Sequence, residues 1–187
     1  MKWVTPAPVR SVRDDQFEIL AKEFIENLEQ HWMLKKAKKN TEAATWNDRV
    51  QSSINEANVY KTKGDKHVYF VDGKAAALMV TSEELTEELN AIKIKDLSAH
   101  PGAAGAGEIM IEYAVNLSDN GGKQGRISLF AAGNSGGFYE KLGFTTHNSL
   151  NFKLDPGKSE LWCKLSDGLW HLKKYTTEEQ FFVDSFE

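Results

Sequence analysis

The residues best suited to chemistry in this chain begin with a run that has almost no side chains, Gly102-Ala103-Ala104-Gly105-Ala106-Gly107. Ahead of it, Ala91-Ile92-Lys93-Ile94-Lys95-Asp96-Leu97 alternates apolar and polar residues as a strand does. His100-Pro101 closes the alternation, because proline has no N–H to give a ladder. Behind it, Met110, Tyr113, Ala114 and Leu117 fall at i, i+3, i+4 and i+7, the spacing of an amphipathic helix. The glycines therefore stand where a strand gives way to a helix. Gly105, Ala106 and Gly107 leave the backbone open there, so an anionic group can approach N–H groups and the positive end of the helix dipole. In physical terms this is a phosphate-binding turn.

Spacing then narrows the ligand. A P-loop carries a Lys-Ser/Thr pair after its last glycine, where this chain has Glu108-Ile109. A dinucleotide fingerprint needs a small residue at Met110 and an acidic residue closing the next strand, where Ala131-Ala132 stands. The stretch resembles instead the GNAT superfamily of N-acetyltransferases. The Gln/Arg-x-x-Gly-x-Gly/Ala signature of that family binds the pyrophosphate of acetyl-coenzyme A between the fourth strand and the following helix. Gly102 to Gly107 matches it, with glycine in place of Gln or Arg at the first position. Gly137-Phe138-Tyr139-Glu140-Lys141-Leu142-Gly143-Phe144 is similar to the family's Phe-Tyr-x-x-x-Gly-Phe segment, and the two blocks lie in the family's order. The likeness extends over residues 58 to 150.

The resemblance implies an α/β (α+β) fold, a mixed, mostly antiparallel sheet flanked by helices, with a V-shaped opening between two central parallel strands. It implies acetyl-coenzyme A as co-substrate and no metal. Cofactor contacts are expected from the backbone of Leu97, Ser98 and Ala99, from Gly102, Ala103, Ala104, Gly105, Ala106 and Gly107, and from Asn134 and Tyr139. Tyr139 fills the position of the family's general acid, and a phenol of pKa about 10 suits a departing thiolate of similar acidity. Its alternative role is to anchor the helix beside Phe138 and Phe144. An amine acceptor must lose a proton before it attacks, and Asp96, on the strand beside the expected thioester, is the first candidate base. Asp96 could equally pair with a lysine; His100 is a weaker candidate, because a histidine before proline is more often a turn residue. Glu108 is expected to point away from the phosphates.

Direct attack of the amine is favoured over an acyl-enzyme, because Cys163, the sole cysteine, lies outside both blocks. The acceptor is left open among a small molecule, a peptide, a protein and an aminoacyl group. A homodimer, transfer of a longer acyl chain, and a GNAT-like module that binds coenzyme A or a protein partner without turnover also remain open.

Around this centre the chain of 187 residues reads as one domain. Residues 1–8 form a loose lead-in, 89–144 the cofactor-binding core, and 150–187 the C-terminal strands and tail. Val9 to Arg13 is a candidate first strand. Asp15-x-x-Glu18 resembles a capping box, and Phe17, Leu20, Phe24, Leu28 and Trp32 follow at helical spacing. Trp46, Val50 and Ile54 imply a second helix over 41–57, a segment that lines the acceptor pocket in the family, although the same residues also read as plain core. Residues 59–62, 67–71 and 74–81 read as strands, the last two joined by an Asp72-Gly73 hairpin turn. Ser82 to Glu88 reads as a solvated acidic connection, or as a rim attracting a cationic amine. The basic run Lys35-Lys36-Ala37-Lys38-Lys39 reads as a solvated helix end or loop ahead of a face for an acidic partner, membrane lipid or nucleic acid, because cations favour a helix C-terminus and no aromatics interleave it. Residues 126–131 supply the strand that runs parallel to 91–97. Further antiparallel strands flank Asp155-Pro156-Gly157-Lys158 and Asp167-Gly168. The net charge of −4 argues against general nucleic-acid binding. No apolar run approaches the roughly 18 residues of a membrane span, and a cytoplasmic setting is expected.

Overall fold

Packing rather than capping starts the first helix. In the computed structural model, which describes residues 9–33, 42–58, 61–85, 90–131, 135–146 and 150–176, strand β1 (Val9–Val12) leads into helix α1 (Asp14–Asn27). Arg13 holds the N-cap position without a side-chain bond, and Asp15 pairs with Arg13 at 3.1 Å instead of capping, so the expected capping box does not form. A missing cap costs about 1 kcal/mol. Phe17, Phe24 and Leu28, all buried, contribute about 1.5–3 kcal/mol each and outweigh it. A five-residue π-turn, Leu28–Trp32, extends the helix, and the Met33 N–H donates to the Leu28 carbonyl at 3.2 Å.

Two compact units divide the chain, Met1–Ser82 with Lys95–Met110, and Glu83–Ile94 with Ile111–Glu187. In the first, helix α2 (Glu42–Ala57) buries Val50, Ile54 and Ala57 together with Phe17, Phe24 and Leu28 of α1. Strands β2 (Asp65–Val71) and β3 (Lys74–Leu85) close the same core with Val68, Leu78 and Val80. Their hairpin turn has φ of 50° at Asp72 and 78° at Gly73, the doubly left-handed backbone of a type I′ turn, as the Asp-Gly pair predicts. The strand expected over 59–62 differs: residues 61–64 are turns and bends, and 59–60 lie outside the described residues. His67 bridges three strands, its ring nitrogens bonded to Ser11 at 3.1 Å and Thr81 at 2.9 Å.

Strand β4 (Asn90–Ala99) and helix α3 (Ala106–Asn120) bracket the glycine turn. In the second unit, β4 pairs in parallel with β5 (Ile127–Phe130) from Ile92 opposite Ile127 to Ile94 opposite Leu129, and β4 then continues to Ala99. Helix α4 (Gly136–Glu140), strands β6 (Thr145–Thr146) and β7 (Asn151–Leu154), and the hairpin of β8 (Trp162–Lys164) with β9 (Trp170–Leu172) follow. The first seven strands form one sheet in the order β1-β2-β3-β4-β5-β7-β6, in which the β4–β5 ladder is parallel and the ladders β1–β2, β2–β3, β5–β7 and β6–β7 are antiparallel.

The acidic connection expected from Ser82 is instead strand as far as Leu85. The charges are tolerated because they are neutralised. The Lys123 ammonium reaches Glu83 at 2.9 Å, and Glu84 accepts from Lys93 at 3.1 Å and from the Ser128 hydroxyl. Residues 86–89, the basic run at 35–39 and the tail from 177 lie outside the described residues.

Candidate functional site

The glycine turn is built by its own hydrogen bonds. Beyond β4, the His100 N–H donates to the Ala76 carbonyl at 2.9 Å. His100 also organises the start of the turn, its carbonyl accepting from Ala103 N–H at 2.9 Å and its Nδ1 from Gly102 N–H at 3.0 Å. Ala106 N–H donates to Ala103 at 3.1 Å, and Ile109 N–H to Gly105 at 3.0 Å as α3 begins. Of the six candidate residues, Gly102, Ala103 and Ala106 thus have their N–H groups engaged within the turn. Those of Ala104, Gly105 and Gly107 have no hydrogen-bond partner among the described residues. They belong to a helix N-terminus, where the dipole favours an anion. Gly105 has φ of 81°, a left-handed conformation that a side chain strains.

The glycine at the first signature position has a steric cause. A Cβ on Gly102 would lie 2.4 Å from Cη2 of Trp32, so no Gln or Arg fits while the indole is there. The π-turn is what ends α1 with Trp32 in that place. Trp32 also meets the His100 ring edge-on at 4.6 Å, and Phe24 meets it at 5.8 Å. Burial lowers the His100 pKa, and Nδ1 accepts a bond, so the ring is neutral with its proton on Nε2. A nitrogen that already carries a proton cannot act as base in that tautomer, which weighs against His100. Trp46 Nε1–H donates to the Trp32 carbonyl at 2.9 Å, and the Arg49 guanidinium lies 5.9 Å from the Trp46 ring centre.

Asp96 and Ser98 share the face of β4 that meets α2. Reciprocal bonds fix that contact: Ser98 Oγ donates to the Ser53 carbonyl at 2.8 Å, and Ser53 Oγ to the Ala99 carbonyl at 2.9 Å. Asp96 borders a small cavity of about 10 Å³, room for no more than one water, which Glu56 and Ser98 line together with Phe17, Leu78 and Val80. Burial raises the Asp96 pKa, against the Thr62 hydroxyl and the Lys66 and Lys95 charges, which lower it. Glu56 is raised too, by burial first and by the Asp96 charge, while a bond from Ser52 opposes the shift. The buried Lys66 ammonium donates to the Thr62 carbonyl and lies 5.4 Å from the Phe17 ring centre. Glu56, Lys66 and Trp32 were not among the sequence candidates. Glu56 reads as a solvated helix residue, and the signal that could have found it is its place one helical turn beyond Ser53 and next to the buried Ala57.

In the second unit, Tyr139 is 8% exposed, and its ring packs against Phe138 at 5.1 Å, Phe144 at 5.4 Å and Phe152 at 5.8 Å. The helix turns back on itself through Leu142 and Phe144 N–H groups, both donating to the Tyr139 carbonyl. Gly143 makes the turn with φ of 86°, where a Cβ would lie 2.3 Å from Ser159 Oγ. Asn134 lies outside the described residues. Glu108 is half-exposed in the first turn of α3. Among the described residues no group of three or more His, Cys, Asp or Glu could hold a metal, and no helix is long and apolar enough to cross a membrane.

No protein-family model and no curated protein matches the chain. Solved structures do. A protein of the GNAT family from Desulfovibrio desulfuricans aligns with a TM-score of 0.52 at 12% identity, over 80% of this chain and 98% of that one. A GNAT-family acetyltransferase from Brucella melitensis, solved with acetyl-CoA, aligns at 0.47 and 13% identity over 81% and 88%. The PaiA N-acetyltransferase from Thermoplasma acidophilum, solved with coenzyme A, aligns at 0.46 and 17% identity over 80% and 98%. The mixed, mostly antiparallel fold of this chain is the GNAT fold.

Proposed function

We propose that this chain, which carries the GNAT fold, is an N-acetyltransferase that moves an acetyl group from acetyl-coenzyme A to a primary amine. One observation carries the reading: Ala104, Gly105 and Gly107 offer N–H groups that have no hydrogen-bond partner among the described residues at the start of α3, which fits a pyrophosphate. Bound acetyl-coenzyme A would supply the acetyl group on a thioester whose thiol departs. The three N–H groups bind the pyrophosphate, and the β4 backbone from Leu97 to Ala99 orients the pantetheine arm.

Asp96 accepts a proton from the amine, which at pKa near 10.4 stands about 4.6 kcal/mol from its free base at pH 7. The raised proton affinity of the Asp96 carboxylate suits that task. The Tyr139 hydroxyl donates to the departing sulfur, while its ring stays packed among Phe138, Phe144 and Phe152. The ammonium loses two protons in forming the amide, sulfur gains one, and one leaves to solvent. Cys163 sits on β8, outside both motif blocks, so attack is direct and no acyl-enzyme is required.

The test is release of free thiol from acetyl-coenzyme A by the purified protein with a panel of small amines, peptides, proteins and aminoacyl-RNAs. Release above the protein-free rate, with acetylated acceptor identified by mass spectrometry, is the expected result. Tight coenzyme binding with no release across the panel would make the chain a binding module instead.

A further inference from the structure

We propose that Trp32 is a positioning residue for the glycine turn: its indole, seated on Gly102 and against the His100 ring, holds that ring where Nδ1 accepts the Gly102 N–H, and so sets the shape of the turn that takes up pyrophosphate. The inference rests on the acetyltransferase reading for its ligand; the packing itself stands on contacts within the first unit. Gly102 is not among the described glycines of positive φ, so its backbone conformation does not call for a glycine. The space around it does. A Cβ there would meet Cη2, Cζ3 and Cζ2 of Trp32, the last two at 2.6 and 3.2 Å. Those atoms form the outer edge of the indole, so the ring as a body stands over the glycine. The chain forgoes a side chain at the first position of the turn, and the indole takes its room.

The indole is itself held in place. The π-turn Leu28–Trp32 fixes its backbone, and from α2 the Trp46 Nε1–H donates to the Trp32 carbonyl at 2.9 Å, with the two rings 5.8 Å apart and tilted by 35°. Trp32 then meets the His100 ring at 4.6 Å with 86° between the planes, and Phe24 meets the same ring at 5.8 Å and 88°. Two aromatic neighbours thus set the plane of the imidazole. That plane matters because His100 ties down the start of the turn through its N–H to Ala76, its carbonyl to the Ala103 N–H and its Nδ1 to the Gly102 N–H. Only the last of these bonds depends on the ring. Rotating the ring would withdraw Nδ1 and release Gly102, two residues before the open N–H of Ala104. A site that binds through backbone N–H groups gains affinity when those groups are ordered beforehand, since ordering them at binding costs free energy.

Trp32→Ala removes both contacts, and calorimetric titration of the folded chain with coenzyme A should show about tenfold weaker binding than wild type. Trp32→Phe keeps an aromatic ring beside His100 and should recover most of that loss. Gly102→Ala supplies an arm that leaves Trp32 unchanged. In the wild-type background its Cβ displaces the indole, and binding should weaken to a similar extent. In the Trp32→Ala background the room is open, and Gly102→Ala should change affinity by less than about twofold, so the two substitutions are far from additive. A further readout needs no ligand. Nitrogen NMR of the free protein should find the wild-type His100 ring in the Nε2–H tautomer that leaves Nδ1 to accept, and a mixture of tautomers in Trp32→Ala. A purely structural role would lower the denaturant midpoint and leave both the tautomer and the affinity of the folded protein unchanged. Wild-type affinity in a folded Trp32→Ala protein, or additive losses in the double substitution, would overturn the proposal. A wild type that binds no coenzyme A, yet whose His100 tautomer is lost in Trp32→Ala, would count against the acetyltransferase reading and support the packing link.

Discussion

The two ends of α3 treat their polar groups in opposite ways. At the N-terminal end, Ala104, Gly105 and Gly107 present N–H groups with no partner among the described residues. In the C-terminal half, Glu112, Asn116 and Asp119 lie at i, i+4 and i+7 and tie the helix to the β8–β9 hairpin. Glu112 accepts from Leu172 N–H at 3.0 Å and faces His171 at 3.3 Å, Asn116 exchanges two bonds with the Trp170 backbone, and Asp119 accepts from Lys164 at 2.7 Å and Trp170 Nε1–H at 3.3 Å. Donors left open at a helix start are where an anionic ligand can bind. Groups already satisfied by the fold hold structure. The contrast separates residues whose loss should change ligand binding from those whose loss should change stability.

Tyr139 combines both roles in one side chain and gives the largest expected effect. Tyr139→Phe keeps the ring against Phe138, Phe144 and Phe152 and removes only the hydroxyl. If that hydroxyl donates to the departing sulfur, single-turnover acetylation should fall by about 100- to 10,000-fold, with coenzyme affinity nearly intact. A rate within about twofold of wild type would reduce the residue to its packing role.

Next in size is Asn116→Ala, on the structural half of α3. It strands the part-buried N–H and C=O of Trp170 and should cost about 2–3 kcal/mol in denaturant unfolding, with coenzyme affinity unchanged. Lost affinity at unaltered stability would break the comparison.

The smallest effect belongs to His171, whose pKa is raised by bonds to Glu112 first and Asp167 second, against desolvation. A raised histidine contributes stability that is full below its unfolded value of 6.5 and disappears as pH rises through its folded pKa. Amide exchange at Trp170 and Leu172, corrected for intrinsic rates, should therefore show weaker protection at about pH 8.5 than at pH 6, by under about 1 kcal/mol. Glu112→Gln should reduce that pH dependence.

How much of this was legible in the sequence depends on how local each signal is. The β4–turn–α3 core and the Asp72-Gly73 hairpin rest on periodicity and on glycine chemistry within a few residues, and they read correctly. Trp32 at Gly102 did not, because it depends on a π-turn that shifts the helical register at the end of α1. Glu56 was missed since its surroundings come from β2, β3 and β4, far away in sequence. Ser82 to Leu85 read as solvated because its compensating cations, Lys93 and Lys123, lie beyond any local window. Asp15 has capping chemistry, but helix α1 starts one residue earlier and leaves it to Arg13.

The central claim is that the start of α3 is an anion site, and Gly107→Asp addresses it most directly. Gly105 is the poorer probe, because a side chain at its left-handed φ costs about 1–2 kcal/mol in folding. A carboxylate at Gly107 favours the helix dipole and repels a phosphate, so its effects on stability and on binding have opposite signs. Calorimetric titration with acetyl-coenzyme A should show at least about tenfold weaker binding than wild type, or 1.4 kcal/mol, in a protein that unfolds at equal or higher denaturant. Wild-type affinity in that folded variant would contradict the assignment of the turn.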